Sequence, residues 1–221
     1  VHGSVFSAGE RRTADMENIV VTIARQYGSG GKTVGEMYAK ELGIPCYGMN
    51  LLKMASEESG INEQLFMQFD EKLRNNLLLR MTTDLYDGKV IPPGHKDFVS
   101  AKNLFNWQAE VIKRLAKSET CVIIGRAADF VLKDYPNVVS VFVHASPEFN
   151  LARAMERNSM TTAEMEKFIA STDKYRSDFY KHYTGREWTD ARNYDLCLNS
   201  GKLGFVKCVE EIKAYIKVRF E

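Results

Sequence analysis

The segment "RQYGSGGKT", residues 25–33, follows the apolar run "NIVVTIA" and precedes the amphipathic "KTVGEMYAKEL". Gly28, Ser29, Gly30 and Gly31 form a flexible loop, and Lys32 and Thr33 open the helix after it. Glycines let backbone N–H groups converge on an anion, and a helix N-terminus adds its positive end. A Lys then reaches phosphates, and a Thr hydroxyl can hold Mg²⁺. The spacing departs from GxxxxGK[ST] at its first position, where Gln26 replaces glycine. Gly28 is expected to make the tight turn instead. The alternative is a plain glycine-rich βα turn with an incidental Lys-Thr pair.

Cationic side chains recur on three further segments. Arg126 ends the apolar run "VIIGR", and ligands of open α/β sheets bind beyond the carboxyl ends of strands. Arg126 therefore points into that crevice, or forms an ion pair with Asp129 or Asp134. Arg153 and Arg157 stand four apart on one helix face, either over a ligand or simply solvated. Asp173 and Arg176, three apart, could hold a ligand or stabilise their own helix by about a few tenths of a kcal/mol. The mixture "YRSDFYKHYTGREW" has the basic and aromatic residues of a single-strand nucleic-acid platform. A net charge of +1 and no second basic stripe argue against that partner. His95, His144 and His182 belong to no Ser-His-Asp or Cys-His constellation and receive no catalytic part.

These groups need elements to position them. Residues 18–24, "IPCYG", "CVIIG" (121–125), "VVSVFVHA" (138–145) and "YDLCLN" (194–199) read as five strands. Helical patterns lie between them, with Val34, Met37, Tyr38 and Leu42 on one face, then Leu104, Trp107, Val111 and Leu115, then Phe205, Val209, Ile212 and Ile216. Alternation of strand and helix predicts an α/β fold, a parallel sheet covered on both faces. The length of 221 residues fits one domain over 17–221. A helical insert is expected over about 51–118 and a helical pair, a lid, over about 147–186. Residues 1–16 read as a tail, disordered or of non-native origin, without the apolar core of a secretory signal. No apolar run approaches the ~20 residues of a membrane helix. Cys46, Cys121, Cys197 and Cys208 form no CxxC pair and read as reduced core thiols of a cytoplasmic protein.

"IARQYGSGGKTVGEMYAKELGIPCYG", "CVIIGRAADFVL" and "DKYRSDFYKHYTGREWTDARNYDLCLNS" together resemble the cytidylate kinase-like family, relatives of bacterial cytidylate kinase among P-loop nucleoside monophosphate kinases. The resemblance runs from about Glu17 to the C-terminus and is weak between 60 and 100. It implies the P-loop kinase fold, with a five-stranded parallel sheet, an acceptor-binding insert and a lid over ATP. It assigns Gly28 to Thr33 to the ATP phosphates, with the Thr33 hydroxyl on Mg²⁺. Gly125 and Arg126 match the Gly-Arg that meets the acceptor, and Asp173 and Arg176 match an acceptor-holding pair. Arg153 matches a lid arginine, and Arg157 is placed with the ATP phosphates. Cytidylate kinase carries acids beside its Gly-Arg, where this chain has Ile124 and Ala127; Asp129 could substitute. Asn150 stands where an earlier lid arginine is usual.

The expected activity is ATP-dependent phosphoryl transfer to a small acceptor, a nucleoside monophosphate such as CMP leading the candidates. Lys32, Arg126 and Arg153 are the expected catalytic groups, and Mg²⁺ comes with ATP. The alternative is a non-catalytic nucleotide-binding protein that uses lid closure as a switch. Oligomeric state stays open.

Overall fold

The computed structural model describes residues 18–75 and 83–220; the expected tail and part of the expected insert lie outside them. The strands are β1 (Val20–Arg25), β2 (Cys46–Tyr47), β3 (Cys121–Ile124), β4 (Val138–His144) and β5 (Leu196–Asn199). They form one parallel sheet in the order β2-β3-β1-β4-β5. β1 lies at the centre, with Val20 level with both Cys121 and Val138. The chain builds one side of the sheet after β1 and the other after β3. The switch between them opens a crevice at the carboxyl ends of the central strands.

The helices are α1 (Gly31–Leu42), α2 (Asn50–Ser59), α3 (Glu63–Asn75), α4 (Ala101–Ser118), α5 (Ala128–Val131), α6 (Pro147–Met155), α7 (Thr162–Thr184), α8 (Ser200–Leu203) and α9 (Phe205–Phe220). Strand alternation divides the core between the two faces of the sheet. Val20, Ala24, Cys121, Ile123, Val138 and Phe142 face a cluster with α2, α4, α5 and the end of α7. Val21, Ile23, Val122, Ile124, Val139 and Val141 face α1 and α9. Full burial of each such aliphatic side chain contributes about 1.5–3 kcal/mol. Both faces are covered, which is why the central strands read as nearly continuous apolar runs.

Helix starts follow local chemistry. Ser100 and Ser146 cap α4 and α6, and Thr161 with Glu164 forms a capping box on α7. α7 differs from the expected lid helix in its second half. Tyr180 and Tyr183 are buried in the main core, and Phe105 stacks on Tyr183 with ring centroids 4.0 Å apart. Aromatic packing on α4, not a strict apolar stripe, holds this half of the helix. The cysteines depart from expectation at one edge: Cys121 and Cys208 are buried, but Cys197, on edge strand β5, is exposed. All four are free.

Candidate active site

The glycine loop sits between β1 and α1 at the carboxyl end of the sheet. β1 does not turn early at Gln26: its N–H still bonds the Val143 carbonyl at 3.1 Å. The Gln26 Oε1 accepts from the Ala145 N–H at 3.2 Å, which ties the loop to the end of β4. Gly28 then makes the turn at φ 82° and Gly30 at φ 76°. Close approach, too, demands glycine. A Cβ on Gly28 would lie 2.3 Å from the Asn150 carbonyl oxygen, and one on Gly30 would lie 2.3 Å from the Phe205 ring. The Ser29 hydroxyl, fully buried, donates towards the Gln26 and Val143 carbonyls.

α1 has no side-chain cap. Its first helical bond runs from the Val34 N–H to the Gly30 carbonyl. The N–H groups from Gly28 to Thr33 have no acceptor among the described residues. That leaves a set of unpaired donors at a positive helix end, an arrangement able to receive an anion. Lys32 is exposed and spans 3.5 Å to Glu36. An exposed pair of this kind is worth about 0–1 kcal/mol, so Lys32 can leave Glu36 for a phosphate at small cost. Thr33, half-buried, stands beside it in the first turn.

Beside the loop lies a cavity of about 710 Å³. Arg25 and Gly125–Ala127 form its floor; Asp70 and Arg74 of α3 and Tyr175 and Arg176 of α7 form facing walls; Lys32 stands at the loop side. The sequence "GRA" at 125–127 is held with all three φ positive, at 77°, 62° and 50°. Left-handed backbone at a non-glycine residue costs about 1–3 kcal/mol and marks functional sites. Here it directs Arg126 inward, where its guanidinium donates to the Asp70 carboxylate. The expected partners Asp129 and Asp134 are not used. Asp129 is buried instead and accepts from the Tyr180 hydroxyl at 2.6 Å. Burial pushes its pKa up to about 6, against the pull of that hydrogen bond.

Asp173 and Arg176 pair at 3.0 Å, and each also reaches the loop. Asp173 Oδ1 accepts from the Tyr27 N–H at 2.8 Å, and Arg176 donates to the Arg25 carbonyl at 3.0 Å. Burial moves both towards neutrality, raising the Asp173 pKa and lowering that of Arg176, with each partner's charge opposing the shift. Arg153 and Arg157 do not line the cavity. Arg153 pairs with Glu156 and lies 5.3 Å from the Phe205 ring, the ring that packs on Gly30. It therefore lies near the outer side of the glycine loop. Arg157 is exposed after the end of α6.

Three cavity residues carry no signal that singles them out by motif. Arg25 ends an apolar strand just as Arg126 does, and the same argument would find it. Asp70 and Arg74 lie on an amphipathic helix in the weakly matching region, and nothing in their spacing distinguishes them. Among the described residues no group of three or more His, Cys, Asp or Glu could hold a metal ion. No helix among the described residues is long and apolar enough to cross a membrane.

A family model described as the cytidylate kinase-like family matches residues 20–202. A sequence comparison with curated proteins gives no match. Among solved structures, an uncharacterized protein from Eubacterium ventriosum is 25% identical, with a TM-score of 0.67, over 90% of this chain and 99% of that one. Shikimate kinase from Bacteroides thetaiotaomicron is 13% identical, with a TM-score of 0.50, over 90% of this chain and 98% of that one. The second likeness is one of fold: a five-stranded parallel sheet with helices around it, the P-loop kinase architecture.

Proposed function

The chain belongs to the cytidylate kinase-like family, and from that premise we propose that it transfers the γ-phosphoryl group of MgATP to a small phosphorylated acceptor, with a nucleoside monophosphate such as CMP as the leading candidate. One observation carries this reading. The uncapped start of α1, with Lys32, opens beside the same cavity that Arg126 and Arg176 enter from other elements. Phosphoryl transfer asks a protein for positioning and for positive charge around the migrating group, and little covalent chemistry.

In this reading the N–H groups of Gly28 to Gly31 hold the ATP phosphates and Lys32 bridges the outer ones. The Thr33 hydroxyl holds the Mg²⁺ that arrives with ATP. Arg126, steadied by Asp70, faces the acceptor and the oxygen it presents to the γ-phosphorus. Asp173 and Arg176 hold the acceptor from α7, and Asp129, half-protonated near pH 6, stands behind them. Arg153 and Arg157 approach from α6 when the lid, about 147–186, closes and excludes water. In this reading the part of that segment before Thr172 moves as the lid, while Tyr180 and Tyr183 stay in the core. The insert at about 51–118 supplies the α3 wall. Free thiols and the nucleotide substrate fit the cytoplasm.

One observation favours the non-catalytic reading. Ile124 and Ala127 are apolar and buried where cytidylate kinase has acids, so acceptor reading is altered. Incubating the protein with MgATP and a panel of CMP, dCMP, UMP, AMP and shikimate decides between the two. Transfer to a monophosphate is expected; nucleotide binding without transfer to any acceptor would leave the switch.

A further inference from the structure

Three guanidiniums line the cavity, Arg25 and Arg126 on its floor and Arg176 on the α7 wall, and they are not equivalent. Arg126 donates to Asp70, and Arg176 to Asp173 and the Arg25 carbonyl. The Arg25 guanidinium donates to no acceptor among the described residues, although it lines the cavity. It is also held in place. A Cβ on Gly125 would lie 2.4 Å from Arg25 Nη1, so the guanidinium occupies the space a side chain would fill. Burial lowers the Arg25 pKa to about 9, with the Arg176 and Arg126 charges adding to the shift and Asp173 countering it. A cation so placed is costly unless an anion meets it. On α7, the cavity residue Thr172 has a buried hydroxyl with no hydrogen-bond partner among the described residues.

We propose that Arg25 is the receptor for the anionic group of the acceptor, and that this group is a phosphate monoester seated on Arg25 between Arg126 and Arg176. This rests on the reading of the cavity as the acceptor site. Each guanidinium carries five N–H donors in a fixed fork, and the two carboxylates already present take only part of those on Arg126 and Arg176. The donors left over exceed what the two oxygens of a carboxylate can accept. A phosphate monoester brings three oxygens and nearly two charges, and it meets several forks at once. A neutral polyol would leave Arg25 unpaired.

The test is equilibrium binding to the full chain, without ATP, of CMP, UMP and AMP, their nucleosides, and shikimate as a carboxylate probe. The best monophosphate should bind at least about 10-fold tighter than its nucleoside, the scale of one lost charge-assisted contact. Arg25→Met should remove that advantage and leave nucleoside affinity unchanged. Gly125→Ala, which keeps every charge but displaces the Arg25 guanidinium, should do the same. Should both variants fail to fold, hydrogen exchange on the wild-type chain decides: the monophosphate should slow amides at 124–127 and 173–176. Unchanged monophosphate affinity in a folded variant overturns the proposal, as does a nucleoside or shikimate binding as tightly as any monophosphate, or exchange unaltered at both segments. Arg25-dependent binding without transfer would reject the kinase reading and keep this one; transfer with Arg25-independent binding would do the reverse.

Discussion

Asp129→Asn should make the protein more stable at neutral pH and leave the difference near its baseline in acid. The Asp129 carboxyl is buried and its pKa rises from 3.8 to about 6 on folding. The folded state therefore holds this proton more tightly than the unfolded chain does. Between about pH 4 and 6 the folded state binds more protons, so this group's contribution to stability falls as pH rises. Below both pKa values the carboxyl is neutral in either state and carries no such penalty. Above both, the penalty is complete at about 3 kcal/mol, since each tenfold change in proton affinity corresponds to about 1.36 kcal/mol. Asparagine is neutral throughout, and its carbonyl can still accept from the Tyr180 hydroxyl. Any misfit of its amide is independent of pH. Urea unfolding of both proteins from pH 3.5 to 7.5 should thus give a stability difference that moves by about 3 kcal/mol in favour of the variant. For a chain of this size that corresponds to about 6–12 °C in Tm. A difference that is the same at pH 4 and pH 7 would mean the carboxylate is solvated or compensated by Arg186, and would refute the argument.

Lys32→Ala should leave the fold intact, because the side chain is exposed, while phosphoryl transfer drops by at least ~10²-fold, as for one preorganised electrostatic donor; an unchanged rate removes Lys32 from the mechanism. Gly28→Ala should destabilise by at least ~1–2 kcal/mol from its left-handed backbone alone, and the 2.3 Å approach to the Asn150 carbonyl must displace α6, so denaturant midpoints and nucleotide affinity should fall together. Arg153→Ala should lower transfer more than ATP binding, since its charge matters most as the γ-phosphoryl moves; equal losses in both would place it with simple nucleotide contacts. An ATP analogue with Mg²⁺ should slow amide exchange at 26–33 and across 150–172, while 175–184 is already protected by core packing; protection confined to 26–33 would make α6 and α7 a fixed hairpin.

The central strands are legible in the sequence because both faces of the sheet are buried there, so β1, β3 and β4 read as largely apolar runs, interrupted inside only by Thr22 and Ser140, while edge strand β5 is a shorter run with Cys197 exposed. β2 is the exception: only Cys46 and Tyr47 pair, and neither is fully buried. The glycine loop is legible because its features are local: the glycines, Lys32 and Thr33 are neighbours in sequence. Arg126 stands out for the same reason, at the end of an apolar strand. Its partner does not, because the choice of Asp70 over Asp129 depends on how α3 folds back over the sheet, fifty-six residues away in sequence. The second half of α7 is hidden for a different reason. Its packed face mixes Phe179 with Tyr180, His182, Tyr183 and Thr184; tyrosine buries its ring while carrying a polar hydroxyl, and such a mixture does not register as an apolar stripe.

One carboxylate ties the two halves of the site together. Asp173 Oδ1 receives both the Tyr27 N–H, at the entry to the glycine loop, and the Arg176 guanidinium, on the α7 wall of the cavity. Under the proposed function, a ligand that draws on Tyr27 or Arg176 also acts on the carboxylate that anchors the other. The two binding equilibria then share a free-energy term, and whatever factor MgATP contributes to acceptor affinity, the acceptor returns to MgATP. If the proposed function holds and that shared factor is above one, neither substrate binds at full strength alone, and a bound nucleotide is kept from being spent on water while the acceptor's place is empty.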